Sequence, residues 1–194
     1  EGDEVSPFYD PMLGKLIAWG EDREQARLRL LAMLDEFAIG GLKTNLSFLR
    51  RIIGHPALAA AELDTGFIPR FEEQLLPAAE PLPAAFWSAG AQAFDQSQPP
   101  RVRTDDPASP WSAHNGFRSG LPAQTLLALT CNGEQEVIHL SASTATLRDE
   151  QLVIEQDGVR RQHLAIRRGD ALYLRWDGEL HCVRLHDPIS AVDA

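Results

Sequence analysis

The sequence predicts an α+β protein in which a strand-helix-helix unit precedes an antiparallel β-barrel surrounding a central helix. Three observations lead to this prediction. Residues 13–53 contain a short apolar run followed by two amphipathic segments with helical spacing. Residues 86–94 carry apolar side chains at helical spacing with few charges, so this helix must be buried. Beyond residue 124, apolar and polar residues alternate between regularly spaced turns, a pattern typical of a curled antiparallel sheet.

The composition excludes several classes of protein. A chain of 194 residues can bury a packed core without disulfides or metals. Its formal net charge of −10 disfavours nucleic-acid binding, because an acidic surface repels phosphates. The wide separation of Cys131 and Cys182 excludes a disulfide scaffold and a zinc ribbon. With neither a membrane-spanning apolar run nor a signal peptide, we expect a cytoplasmic protein without membrane contact. The absence of Met before Glu1 suggests a piece of a longer protein.

Two amphipathic helices follow the first apolar segment. We predict a strand over residues 13–19, because this short apolar run has one charge and is ended by Gly20. Asp22 can cap the first helix, whose apolar face ends before two consecutive glycines. Asn45 can cap the second helix, which is stopped by His55 and the proline after it.

A proline-rich joint divides the chain. Three prolines lie among alanines at residues 77–85, which disfavours regular structure and predicts two domains, residues 1–77 and 78–194. After the joint, Phe86 and Phe94 share one helical stripe with small residues between them. We expect this helix to fill the concave side of the sheet that follows.

Tight turns separate the strands of that sheet at intervals of roughly ten residues. Such two-residue turns favour Asn-Gly and Asp-Gly, because both residues adopt a positive φ. The predicted turns are Asn132-Gly133, Asp157-Gly158, Asp177-Gly178 and, around a single glycine, Arg168-Gly169-Asp170. The spacing predicts about six strands or more.

The residues offer few catalytic groups. Asp10 and Lys15 are close in sequence, but we interpret them as part of a surface turn before a strand. Residues 40–44 lack the glycine spacing of a phosphate-binding loop, and no other nucleotide motif is present. No histidine pair has the spacing of metal ligands. We interpret His139, His163 and His181 as surface or cross-strand packing residues. We predict that Cys131 and Cys182 are small buried apolar residues. The sequence therefore predicts no catalytic, cofactor-binding or metal-binding residue in this chain.

A long loop carries the residue types that dominate protein interfaces. Residues 97–110 contain four prolines, and loops of this length are usually functional or disordered. An aromatic and basic cluster follows, with an Asn-Gly pair for a tight turn. The candidate partner-interface residues are Trp111, His114, Asn115, Gly116, Phe117 and Arg118. The alternative is that Trp111 and Phe117 fold back over the barrel.

Three ordered motifs identify the first part of the chain with a known family. They lie at residues 6–17, 41–45 and 62–68, and they read SPFYDPMLGKLI, GLKTN and ELDTGFI. These motifs resemble YYDPMIAKLI, GxKTN and TxFI in the C-terminal subdomain of biotin carboxylases. The resemblance covers residues 5–70 and implies a structural role for Tyr9, Asp10 and Lys15 rather than a catalytic one.

The remainder lies where biotin-dependent acyl-CoA carboxylases carry the BT domain, which bridges biotin carboxylase and carboxyltransferase. In that family the domain is a helix within an antiparallel barrel, with a hook-like loop before the first strand. Residues 106–118 contain the segments DP, SPWS and NGFR. These segments resemble the methylcrotonyl-CoA carboxylase type, which acts in leucine degradation, and geranyl-CoA carboxylase remains an alternative.

The resemblance implies an alpha subunit that carboxylates biotin with ATP, Mg and bicarbonate. The nucleotide-binding body would lie upstream of this segment and the biotin carrier domain downstream. This segment itself would hold no cofactor and would be inactive alone. Its implied partner is the carboxyltransferase beta subunit, with which it would mediate association.

Two readings from other classes compete with this one. The chain could be a small free-standing enzyme that uses His114 or Asp10, and activity in the isolated chain would support that reading. It could also be a barrel that binds a small apolar molecule in place of a helix. Aromatic side chains of the central helix inside the sheet would count against the ligand-binding barrel.

Overall fold

The structure, a computed structural model, describes residues 5–6, 8, 10, 12–97, 125–140, 145–156 and 158–186. These residues form two compact units. One lies within Glu1–Ala38 and Thr44–Ala79, and the other within Ile39–Lys43 and Glu80–Ala194. Helices make up the regular structure of the first unit, whereas one helix and a sheet make up the second. The α+β class is therefore confirmed.

Both predicted helices of the first unit are present, and three one-turn helices follow them. The helices are α1 (Arg23–Glu36), α2 (Leu46–Gly54), α3 (Pro56–Ala59), α4 (Phe67–Arg70) and α5 (Glu72–Leu75). Asp22 caps α1 as predicted, because its Oδ1 accepts a hydrogen bond of 2.8 Å from the Gln25 N–H. Asn45 occupies the cap position of α2, but its side chain makes no capping hydrogen bond.

The strand predicted over residues 13–19 is wrong for this structure, since residues 12–20 belong to no strand. A strand needs a neighbour that pairs with its backbone, and the described residues of the first unit include no other strand. The burial pattern still has a period of two. Leu16 and Ala18 are half-buried, whereas the side chains of Ile17 and Trp19 are 75% and 71% exposed.

A small aromatic cluster holds the short helices of the first unit together. Phe67 and Leu75 are buried there, and the rings of Phe67 and Phe71 meet edge to face at 5.2 Å. His55 was predicted to stop a helix, and it also begins the next one. Its Nδ1 accepts a hydrogen bond of 3.2 Å from the Ala57 N–H at the start of α3.

The second unit consists of one helix and a seven-stranded sheet. Its elements are α6 (Ala84–Ser97), β1 (Thr125–Cys131), β2 (Glu134–Leu140), β3 (Thr146–Arg148), β4 (Gln151–Gln156), β5 (Val159–Arg168), β6 (Ala171–Trp176) and β7 (Glu179–Leu185). The strand order is β2-β1-β7-β6-β5-β4-β3, and all neighbours are antiparallel. The prediction of about six strands or more is confirmed. Among the described residues β2 and β3 form the two edges, so the sheet they make is a curled half-barrel.

Positive φ angles form the predicted hairpin turns. Asn132 and Gly133 have φ angles of 52° and 86°, so this turn has the geometry that matches the twist of its strands. Asp177 and Gly178 repeat this geometry between β6 and β7, and Gly169 has a φ of 60° in the turn between β5 and β6. The turn predicted at residues 157–158 includes Asp157, which lies outside the described residues.

The core of the second unit lies between α6 and the inner face of the sheet. The predicted helical stripe is buried as a whole: Phe86, Ala89, Gly90, Ala93 and Phe94. Side chains from β1, β4, β6 and β7 complete this core, and α6 packs against strands from β2 at one edge to β3 at the other. Each fully buried large apolar side chain contributes about 1.5–3 kcal/mol to folding, so this contact dominates the stability of the unit.

Two histidines face this core beside aromatic rings. The imidazole of His163 stacks on the buried indole of Trp176 with 4.6 Å between ring centroids, and its Nδ1 donates to the Arg175 carbonyl oxygen at 3.2 Å. Its Nε2 is buried without a hydrogen-bond partner among the described residues. The ring of His181 meets Phe86 edge to face at 5.1 Å. Burial lowers the pKa of both imidazoles, because the charged form loses its hydration.

We expect Phe94→Ala to destabilise the second unit by about 3–5 kcal/mol, the range for removing a core aromatic ring. Phe94 is fully buried, and the Arg167 guanidinium lies 5.6 Å from its ring centroid. Thermal and urea denaturation measure the change. Leu126→Ala is the matched control, since Leu126 is 54% exposed on the same unit and should change stability little. A melting temperature for Phe94→Ala equal to that of the control would contradict the helix placement.

We also expect the second unit to lose stability as the pH falls below about 6.5, the ordinary pKa of an unfolded histidine. Below this pH, His163 and His181 become protonated in the unfolded chain. In the folded chain they stay neutral to a lower pH, because burial lowers their pKa values. Nearby Asp177 and Glu179 favour the charged imidazoles, but burial is the larger effect. Stability should not change through these groups at higher pH.

Urea denaturation at a series of pH values tests this dependence. Replacing both inner histidines with phenylalanine should flatten the curve below pH 6.5. His139→Gln is the control, because His139 is exposed on β2 and this variant should reproduce the parent's curve. A double variant with the parent's pH dependence would reject the assignment.

Candidate functional site

The first candidate pair, Asp10 and Lys15, forms no catalytic arrangement. Asp10 Oδ1 accepts a hydrogen bond of 2.8 Å from the Met12 N–H, which is a local turn within the chain. Lys15 is exposed, and neither a hydrogen bond nor an ion pair joins it to Asp10 in the described ranges. The local hydrogen bond agrees with the predicted surface turn, but the strand predicted after it is not formed.

The cysteines and histidines of the sheet do not form nucleophile–base pairs. His181 faces Phe86 in the core, whereas the neighbouring Cys182 pairs across the sheet with Tyr173 and points to the opposite face. Burial raises the pKa of the Cys131 thiol to about 11, so this thiol stays protonated near neutral pH. Both cysteines are free thiols. The prediction that both cysteines are buried is confirmed for Cys131 and wrong for Cys182, which is half-buried on the outer face of the sheet.

A metal site, a phosphate-binding loop and a ligand-binding barrel each place requirements on the described residues. No group of three or more His, Cys, Asp or Glu side chains is placed to hold a metal in those ranges. The segment at residues 40–44 follows helix α1, whereas the glycines of a phosphate-binding loop follow a strand. The buried face of α6 fills the inner side of the sheet, where a ligand-binding barrel would hold its ligand. The ligand-binding alternative is therefore disfavoured.

The candidate interface residues lie outside the described residues, and so does the rest of their loop. They are Trp111, His114, Asn115, Gly116, Phe117 and Arg118. The structure does describe the two residues that flank residues 98–124. Ser97 accepts a hydrogen bond from Arg167 Nη1 at 3.4 Å, and Thr125 pairs with Leu140. Both ends of the loop therefore start from ordered elements of the second unit.

A second candidate surface lies in the first unit, on the segment that forms no strand. Met12, Leu13, Ile17 and Trp19 expose large apolar side chains there. The Arg29 guanidinium lies 5.7 Å from the Trp19 ring centroid and donates to the Trp19 carbonyl oxygen at 2.8 Å. The sequence predicted a strand and a family motif here, but not an exposed apolar surface. Apolar side chains on both faces of the predicted strand were the available signal, because such a strand is normally buried on both faces.

Each helix in the described part of the chain is too short or too polar to cross a lipid bilayer. Comparison with families gives two adjacent matches. Residues 1–70 match the biotin carboxylase C-terminal domain, and residues 83–188 match the BT domain of the methylcrotonyl-CoA carboxylase alpha subunit.

Individual relatives agree with both family matches. Methylcrotonoyl-CoA carboxylase subunit alpha of Dictyostelium discoideum, named as mitochondrial, is 43% identical over 119 residues, which cover 61% of this chain and 17% of the relative. The Mus musculus protein of the same name is 33% identical over 143 residues, which cover 71% of this chain and 20% of the relative. A biotin carboxylase of Halalkalibacterium halodurans is 44% identical over 68 residues, which cover 35% of this chain and 15% of the relative.

The aligned region thus spans a fifth or less of the length of these relatives. The second family match alone covers more than half of the present chain, and its extent coincides with the helix and the half-barrel. The first match covers helices α1 to α4 of the unit before it. The chain therefore belongs to the family of methylcrotonyl-CoA carboxylase alpha-subunit BT domains, here preceded by a biotin carboxylase C-terminal domain.

Proposed function

We propose that this chain is the assembly segment of the alpha subunit of an ATP- and biotin-dependent acyl-CoA carboxylase. It joins the biotin carboxylase part of that subunit to the carboxyltransferase beta subunit. The match of residues 83–188 to a BT domain carries this proposal. The acyl-CoA is 3-methylcrotonyl-CoA, since the relatives that align with most of this chain are named for that substrate.

The segment takes no direct part in the chemistry of the parent subunit. His163, His181 and Cys131 face the core and are used in packing, and the helix fills the inner face of the sheet. The parent subunit, through residues elsewhere in its chain, binds ATP, Mg and biotin. The present residues connect the biotin carboxylase part of the subunit to the carboxyltransferase beta subunit.

The division into residues 1–77 and 78–194 corresponds to two tasks. Residues 1–77 complete the biotin carboxylase body upstream, and the exposed Leu13, Ile17 and Trp19 pack against that body. The exposed apolar side chains of this segment, which pairs with no strand among the described residues, are the feature that supports this docking. Residues 78–194 form the bridging domain, which leads to a biotin carrier domain downstream. We keep the cytoplasmic location as a prediction, although several eukaryotic relatives are named as mitochondrial.

The loop before β1 supplies the contact with the beta subunit. Trp111, Phe117 and Arg118 are of the residue types that contribute most to interface energies. The ordered residues at both ends of the loop support this assignment, because a docking loop on a rigid base loses less conformational freedom on binding. His114, Asn115 and Gly116 complete the same surface.

The decisive experiment is Trp111→Ala, measured for both stability and binding. We expect an almost unchanged melting temperature, because the side chain anchors a partner rather than the core. Binding to the carboxyltransferase beta subunit should weaken by about 2 kcal/mol or more, roughly thirtyfold. Calorimetric melting and titration of the beta subunit supply the two numbers.

Trp111→Phe is the matched control, since it keeps an aromatic ring and should retain most of the affinity. Failure of the unmodified chain to bind the beta subunit at all would reject the proposed function. A destabilised Trp111→Ala chain whose folded molecules bind with the parent's affinity would instead show that the indole covers the barrel.

We further expect the 194-residue chain alone to bind neither ATP nor biotin at micromolar concentration. The described residues contain no group of metal-binding side chains, and the sequence has no phosphate-binding motif. Isothermal titration calorimetry with each compound measures this, with the complete alpha subunit as the positive control. Saturable heat from ATP with the 194-residue chain would contradict the assignment of a purely assembling role.

A further inference from the structure

Among the described residues the sheet ends in two edge strands, β2 and β3, and a side chain bonds to the outer edge of β3. An edge strand presents unpaired N–H and C=O groups that can pair with another chain. In β3 the outward groups next to Thr146 are the Ala145 carbonyl and the Leu147 N–H. Both groups point away from β4, because the backbone groups of Thr146 itself face its partner Val153 on β4.

Gln96, in the last turn of α6, binds both of these groups. Its Oε1 accepts a hydrogen bond of 2.7 Å from the Leu147 N–H, and its Nε2 donates one of 3.0 Å to the Ala145 carbonyl oxygen. In a parallel sheet, one residue of a neighbouring strand makes this same pair of bonds to the two groups that flank its partner. The carboxamide of Gln96 therefore reproduces the contacts of one residue of a parallel strand beside Thr146.

The other edge strand is also connected to the helical segment. Glu134, at the start of β2, accepts a hydrogen bond of 3.2 Å from the Leu82 N–H, just before α6. A single stretch of chain, residues 82–97, therefore bonds to both edge strands through one side chain at each end. These hydrogen bonds between side chain and backbone lie at the two edges of the sheet. In a closed barrel, backbone hydrogen bonds between strands would lie there instead.

We propose that Gln96 is a substitute for a neighbouring strand, which seals the outer edge of β3 and fastens the β3–β4 hairpin to α6. The role needs both an acceptor and a donor at the end of the side chain, and an amide supplies both in one plane. If the Gln96 side chain only filled space, methionine could replace it equally well, since methionine has a similar length but no strong donor or acceptor.

Hydrogen exchange of the 194-residue chain tests this directly. In Gln96→Met the Leu147 amide should lose about tenfold or more of its protection, because a net hydrogen bond is worth roughly that factor. The Leu174 amide, in the centre of the sheet, reports global opening and serves as the internal reference. Asp95→Ala is the matched control, since Asp95 is the exposed neighbour on the same turn and its loss should leave Leu147 protected.

A second variant separates hydrogen bonding from shape and remains informative if Gln96→Met fails to fold. Gln96→Glu keeps an acceptor for the Leu147 N–H, but at neutral pH its second oxygen faces the Ala145 carbonyl without a proton to donate. The melting temperature should lie below the parent's at pH 7. The difference should narrow as the pH falls through about 4–5, where a carboxyl group gains that proton. Unchanged Leu147 protection in a folded Gln96→Met chain, or a pH-independent gap for Gln96→Glu, would overturn the proposal.

Discussion

The packing of α6 against the inner face of the sheet is the contact on which the second unit depends. Phe86 and Phe94 lie eight residues apart on one stripe of the helix, so the two rings reach different regions of the curled sheet. The small residues between them, Ala89 and Gly90, let the strands approach the helix closely. A Cβ added at Gly90 would lie 3.5 Å from Leu129, which is already van der Waals distance. The curl of the sheet follows from this filled interior, because the strands wrap around a helix of fixed diameter.

An interior filled in this way restricts what the domain can do. A helix with aromatic and small side chains leaves no inner surface for a substrate, and the inward histidines contact rings rather than each other or a nucleophile. Chemistry in a barrel usually requires a cavity lined by a few convergent polar groups. In the described part of the second unit, the outer face of the sheet is the surface that stays accessible to a partner. This agrees with a bridging role in a larger enzyme.

The two units differ in whether their extended segments have neighbours that pair with the backbone. In the second unit seven strands pair in the order β2-β1-β7-β6-β5-β4-β3, and the Gln96 side chain bonds to the two outward backbone groups that flank Thr146 of β3. In the first unit the apolar segment around Ile17 has no strand beside it within the described residues. Its alternating exposed and half-buried side chains retain the pattern of a strand. Among the described residues, every strand of the second unit has a paired neighbour, whereas this segment has none and forms no strand.

Local patterns in the sequence determined the helices, the turns and the buried stripe of α6, because capping, positive φ angles and helical periodicity each depend on a few adjacent residues. Asp22, Asn132 and Phe94 are examples that the structure confirms. Only the tertiary structure decided whether the segment around Ile17 pairs, how far the sheet closes, and that the amide of Gln96 reaches Ala145 and Leu147. Those features join residues about fifty positions apart or need a strand from elsewhere, and no local pattern of side chains encodes such a contact.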